Sequence, residues 1–130
     1  GKQYVLCAWR RRYVRLTPEE HVRQTILYAL ETNYGYPHGL IGVEVSIEVA
    51  GLKKRCDAIV YNQQMQPLML IEFKAETVPL TQQVFDQAAI YNRHLQVPYL
   101  MLSNGKDTIV AEVLPTEYRF LAYIPKYQEL

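Results

Sequence analysis

Three strand-like segments in succession, residues 41–49, 55–61 and 67–74, are separated only by short polar stretches, and a helical pattern lies on either side of the trio. Short turns make consecutive strands antiparallel neighbours, whereas a helix between two strands carries the chain back for a parallel pairing. The first segment, IGVEVSIEV, alternates with Val43, Val45, Ile47 and Val49 on one face and Glu44, Ser46 and Glu48 on the other. The second, RCDAIVY, follows a turn over Gly51–Lys54, and the third follows the polar stretch Asn62–Gln66. That third segment opens Leu68-Met69-Leu70-Ile71, a buried strand by composition, yet closes on Glu72 and Lys74, one apolar residue apart. The period of two puts both charges on one face while Ile71 and Phe73 point the other way.

The flanks complete the pattern. Residues 11–16, RRYVRL, read as a short strand, and Thr17-Pro18-Glu19-Glu20 as a helix start with Thr at the N-cap, Pro at N1 and Glu at N3, a capping box. Val22, Ile26, Leu27 and Leu30 keep helical spacing until Gly35-Tyr36-Pro37 stops the helix. Val84, Ala88, Tyr91 and Leu95 mark a second helix over about residues 80–95. Strands over 97–102 and 107–114 follow, parted by the turn signal Asn104-Gly105. The order predicts an α/β fold: an αβββαβ core, a mixed central sheet flanked by helices, with residues 1–130 forming a single domain. A hydrophobic content of 49% is enough for a core in a chain of this length.

Charge excludes little, because 14 basic and 13 acidic residues leave a net +1. Its distribution is less even: Lys2, Arg10, Arg11, Arg12 and Arg15 precede the first acid, which is either a solvated basic edge or a phosphate-binding stripe. Cys7 and Cys56 match no metal spacing and read as reduced thiols of a cytoplasmic protein. No apolar run reaches membrane-spanning length, so no membrane partner is expected. His21, His38 and His94 are scattered without ligand spacing, and eleven tyrosines are spread over every element. Lys53-Lys54-Arg55 reads as a charged turn or a phosphate contact.

If the second and third strands pair as a hairpin, Asp57 comes opposite the Glu72 region. Two hard carboxylates and an ammonium then gather at one sheet end. Asp57 and Glu72 suit Mg²⁺ or Mn²⁺. A divalent ion there polarises a phosphodiester and activates water, and Lys74 is poised for the attacking water or the developing negative charge. The plain alternative for a Glu-x-Lys triplet, common in any sequence, is an exposed strand-end pair.

Asp57…Glu72-Phe73-Lys74 resembles the core of the PD-(D/E)xK nuclease superfamily, and Gln87-Ala88-Ala89-Ile90-Tyr91 resembles the Q-x-x-x-Y motif of its RecB-like and type I restriction branches. The blocks TPEEHVRQ, GYP, VEVSIEV, RCDAIVYN, PLMLIEFKA, FDQAAIYN and VPYLMLSNG look like the N-terminal nuclease domain of type I restriction enzyme R (HsdR) subunits, from about residue 12 to about 110. The resemblance implies a Mg²⁺- or Mn²⁺-dependent DNA endonuclease with Asp57 and Glu72 as metal ligands and Lys74 as a catalytic residue. It adds Glu20 as a further catalytic carboxylate on the first helix, in competition with its capping role. Gln87 and Tyr91, four apart and so on one helical face, would position the substrate. Glu44 stands at an acidic position of the family and otherwise reads as a solvent-facing strand residue.

The expected partners are DNA and methyltransferase, specificity or motor subunits supplied by other chains, with a homodimer as a way to a second site. The setting implied is a bacterial cytoplasm. No ATP motor is expected in these residues: around Asn104-Gly105-Lys106-Asp107-Thr108 a phosphate loop would need Gly at Leu100 and Ser or Thr at Asp107. The competing expectation is a catalytically inactive nucleic-acid- or protein-binding module of the same fold.

Overall fold

Backbone caps and turns set the element boundaries. The computed structural model describes residues 1–49 and 51–130, with the side chains of Val49 and His94 also outside the described set. Strands β1 (Tyr4–Cys7) and β2 (Arg12–Arg15) form an antiparallel hairpin, of which only the second strand was expected. Helix α1 (Pro18–Tyr34) starts where the Thr17 hydroxyl accepts the Glu20 N–H at 3.1 Å. It ends at Gly35, whose φ of 73° is the left-handed geometry that glycine enters without a Cβ penalty.

A single 3-10 turn, His38–Leu40, leads into β3 (Ile41–Val49), β4 (Leu52–Tyr61) and β5 (Pro67–Phe73). Helix α2 (Gln82–Leu95) then crosses over to β6 (Tyr99–Ser103), and β7 (Thr108–Val113) and β8 (Tyr118–Phe120) follow. The six strands β3 to β8 lie in chain order in one sheet. All neighbours are antiparallel except β5 and β6, which α2 makes parallel. The expected αβββαβ core is therefore present, extended by the N-terminal hairpin and by β7 and β8.

Each sheet face carries one helix and one apolar cluster. On the α1 face, Val22, Leu27 and Leu30 meet Ala58, Val60, Met69, Ile71 and Met101. On the α2 face, Phe85, Ala89 and Leu95 meet Ile59, Leu70, Leu100 and Leu102. The residues of β5 divide by parity, Met69 and Ile71 to one cluster and Leu70 to the other, which a strand buried on both faces requires. Burying each such side chain contributes roughly 1.5–3 kcal/mol. Asn92, fully buried, ties the end of α2 to the approach of β6: its amide donates to the Val97 carbonyl and accepts the Val97 N–H, both at 3.1 Å. That exchange holds Val97 outside the strand, so β6 begins at Tyr99 and not at 97 as the sequence suggested.

One expectation is corrected here. The residues Val43, Val45 and Ile47 do not share a face: Val43 packs with the α1-side cluster, Val45 and Ile47 with the α2-side cluster. The strand changes face at Glu44, whose φ is 53°. Val45 leans over Gly42, where a Cβ would lie 2.7 Å from its Cγ2, so glycine is needed at that position.

Candidate active site

The site forms where β4 and β5 part. Their pairing runs from Tyr61↔Pro67 to Ala58↔Ile71 and stops before Asp57. There a side chain replaces the ladder: Asp57 Oδ2 accepts the Phe73 N–H at 2.8 Å. This bond fixes the Asp57 carboxylate against the Glu72-Phe73-Lys74 segment, as the hairpin reading expected. The Lys74 N–H donates to the Ser103 carbonyl at 2.9 Å, so β6 anchors the backbone at the far end of the same segment. Phe73 is buried in the α1-side cluster and Glu72 faces the other way, which is the predicted alternation.

Glu72 is mostly shielded, with 17% of its side chain exposed. Burial first, and then the nearby Asp57 charge, raise its carboxyl above the ordinary carboxylate value; Lys54 and Lys74 pull it back only in part. Two like charges are thus held together, an arrangement that a divalent cation would relieve. The donor set fits a hard ion of the Mg²⁺ type, which takes one or two carboxylates and completes its shell with water. Among the described residues no group of three or more Asp, Glu, His or Cys side chains converges.

Lys54 is the residue the sequence reading undervalued. It is not a solvated turn residue: β4 begins at Leu52, and Lys54 Nζ lies 3.2 Å from Glu72 Oε1 and 4.5 Å above the Tyr91 ring. Parity gave no signal, because Lys54 and Cys56 share the parity of Ala58 and Val60, yet Cys56 lies on the α2 side and Ala58 and Val60 on the α1 side. Lys74, by contrast, makes no ion pair among the described residues and so keeps its ammonium free. Tyr91 reaches the site through Lys54, whereas Gln87, one turn earlier on α2, is exposed.

Glu20 lies elsewhere, on the α1 side. It is 4% exposed, and its carboxylate is bound by Arg10 at 2.5 Å, Arg23 at 2.5 Å and Gln24 at 2.7 Å. Burial works against its ionisation, but hydrogen bonds from Arg23, then Arg10 and Gln24, bring the carboxyl down to about 2. No bond returns from Glu20 to the Thr17 N–H, so only half of the capping box forms. Arg23 extends the cluster: it donates to Glu44 at 3.1 Å and to the Asp57 carbonyl at 3.4 Å. Glu44 also binds Arg55, so the solvent-facing reading of Glu44 gives way to an ion-paired one that its left-handed φ makes possible. Glu20 therefore touches the site through Arg23 and the β4 backbone.

Comparison with known proteins bears on the family and the fold. The sequence matches the family described as type I restriction enzyme R protein N terminus over residues 18–125. Comparison with the curated proteins finds no match. Among solved structures, a fragment assigned as an HsdR subunit of a type I restriction enzyme from Vibrio vulnificus YJ016 superposes with a TM-score of 0.66 at 20% identity. The match covers 88% of this chain and 24% of that one. A DrdV–DNA complex matches with a TM-score of 0.54 at 16% identity, over 81% of this chain and 10% of that one. This chain thus spans about a quarter or less of these two structures. At these identities the likeness establishes the fold, a restriction-endonuclease-like mixed sheet between helices.

Proposed function

The chain belongs to the type I restriction enzyme R protein N-terminal family, a nuclease-like domain of restriction enzymes, and from that premise we propose that it is a metal-dependent DNA endonuclease. The observation that carries this reading is the bond from the Phe73 N–H to Asp57, which sets one carboxylate beside another, Glu72, whose ionisation is already disfavoured by burial and by that neighbour. Asp57 and Glu72 hold Mg²⁺ or Mn²⁺. When bound, the ion polarises the phosphodiester and lowers the pKa of its water.

The chain's own groups do the rest. Lys74, without an ion pair among the described residues, orients the attacking water or meets the negative charge that grows on the phosphoryl oxygens as the new P–O bond forms and the old one breaks. Tyr91 holds Lys54 beside Glu72, and the exposed Gln87 faces the incoming strand from the same helix. Glu20 acts as a positioning residue, by fixing Arg23 on the Asp57 carbonyl. DNA translocation and sequence recognition come from segments or subunits outside these residues, namely motor, specificity and methyltransferase parts, and pairing of two copies would supply a second cutting site. The bacterial cytoplasm is the setting that fits such an enzyme.

A second reading, an inactive binding module, draws on the ion pair between Lys54 and Glu72, because an ammonium already neutralises one carboxylate. Cleavage separates the two. Plasmid and single-stranded DNA incubated with Mg²⁺ should be cut by the wild type, and Lys74→Ala should lose about 10²–10³-fold of the rate, the usual effect of removing one charge-stabilising donor. Equal cleavage by both proteins would remove Lys74 from the mechanism, and no cleavage by either would leave the binding module.

A further inference from the structure

The N-terminal hairpin is the largest basic and aromatic feature that the catalytic reading does not use. Its register pairs Tyr4 with Arg15 and Leu6 with Tyr13, so alternation collects these four side chains on one face. Tyr4, Leu6 and Tyr13 are 59%, 56% and 70% exposed, a dense apolar surface for so short a ribbon. Lys2, Arg11, Arg12 and Arg15 are exposed too, and none forms an ion pair among the described residues. The other basic residue, Arg10, turns inward: it binds Glu20 at 2.5 Å and lies 3.9 Å from Glu44. Trp9 stacks on His38 with ring centroids 4.6 Å apart.

The hairpin is therefore held to the body at its turn and through Cys7 and Val14, and open on the face of Tyr4, Leu6 and Tyr13. Its seat is also close to the chemistry. Arg10 meets Glu20, Glu20 meets Arg23, and Arg23 donates to the Asp57 carbonyl. Two side chains separate the hairpin turn from the strand that carries Asp57.

Resting on the nuclease reading, we infer that this hairpin is a DNA-docking ribbon that grips the duplex backbone beside the cleavage site. A two-stranded ribbon fits a duplex groove, unpaired arginines attract phosphates, and tyrosine hydroxyls and rings contact phosphate and sugar. The complement is one of charge: Arg15 on the aromatic face, Arg11 at the turn, Arg12 on the strand edge in register with Cys7, and Lys2 just before β1 meet a polyanion with no acid among them, whereas a protein partner would need acidic groups to match them. Because Arg11 sits on the pinned turn and Arg12 and Arg15 on β2, these three cations meet DNA without a large loss of chain entropy.

The test is fluorescence anisotropy of a short labelled duplex with the whole chain in EDTA, where no cleavage occurs. Replacing Arg11, Arg12 and Arg15 together by Gln should weaken binding at least 10-fold near 0.1 M salt and should lower the slope of log affinity against log salt by up to about 2.7, since each phosphate contact contributes about 0.9. A control removing three exposed cations of other elements, Arg93→Gln, Lys106→Gln and Lys126→Gln, should change affinity less than 3-fold. Equal losses in the two triple variants would overturn the inference, because charge alone would then matter. So would unchanged DNA affinity in a Tyr4→Ser/Tyr13→Ser variant that turns a sedimenting dimer into a monomer, which would mark the face as a protein interface. A wild type that binds through the hairpin yet never cuts DNA with Mg²⁺ would refute the nuclease reading and leave this one standing.

Discussion

Glu20→Gln probes the buried ion cluster behind the site. The wild-type carboxylate is 4% exposed and sits between Arg10 and Arg23, whose side chains are only 12% and 9% exposed. Holding the carboxyl at about 2 in place of its ordinary 4.5 corresponds to roughly 3 kcal/mol, at about 1.4 kcal/mol per pH unit. The same order follows independently from breaking a buried pair, about 3–5 kcal/mol, because two guanidinium groups are left sharing a site without their counter-charge. The sign is fixed by linkage. A depressed carboxyl stabilises the fold fully above about 4.5, and the contribution fades as pH falls toward about 2. Urea unfolding at pH 7 should therefore show Glu20→Gln about 3 kcal/mol less stable than wild type, and at pH 3 the gap should shrink to about 1.4 kcal/mol. A gap below 1 kcal/mol at pH 7, or one that does not narrow in acid, would refute the reasoning, since the cluster would then not be acting through the charge on Glu20.

Three further outcomes follow from the packing and the site. Ile71→Ala opens the α1-side core under β5, where Ile71 is fully buried, and should cost about 2–5 kcal/mol by chemical denaturation; a loss under 1 kcal/mol would mean that the core refills. Asn92→Ala leaves the Val97 N–H and carbonyl without partners at a buried position and should cost about 2–4 kcal/mol, with faster amide exchange at Val97 as its specific mark. Lys54→Met removes an ammonium that competes with a bound cation for Glu72, so Mn²⁺ affinity measured by calorimetry should rise about 3–10-fold, in line with a partly exposed pair of about 1 kcal/mol. A fall in affinity would show that Lys54 serves instead to keep Glu72 ionised.

The sequence disclosed the frame of this molecule because its signals were local and periodic. The Thr17 cap, the Gly35 stop, the bounds of β3 and the alternation that sets Glu72 apart from Ile71 and Phe73 each depend on a few adjacent residues. What it hid depends on distant partners. The motif at Thr17-Pro18-Glu19-Glu20 permits a full capping box, but two arginines, one of them from the hairpin turn, offer Glu20 charge-assisted bonds that outweigh a second backbone N–H. Nothing in VEV announces that Glu44 adopts a left-handed φ and flips the strand, because glutamate carries no preference for that geometry. The charge run Lys53-Lys54-Arg55 reads as turn chemistry, yet β4 begins at Leu52 and carries Lys54 into the sheet. Strand β8, three residues long, is too short for a period to register.

Isothermal calorimetry of Mn²⁺ binding, wild type beside Asp57→Asn and Glu72→Gln, addresses the central proposal without relying on any nucleic acid. The account predicts saturable binding by the wild type that either substitution abolishes, because the two carboxylates brought together at the end of β5 would both ligate the ion. Wild-type protein that takes up no Mn²⁺, or binds it equally well after both substitutions, would contradict it.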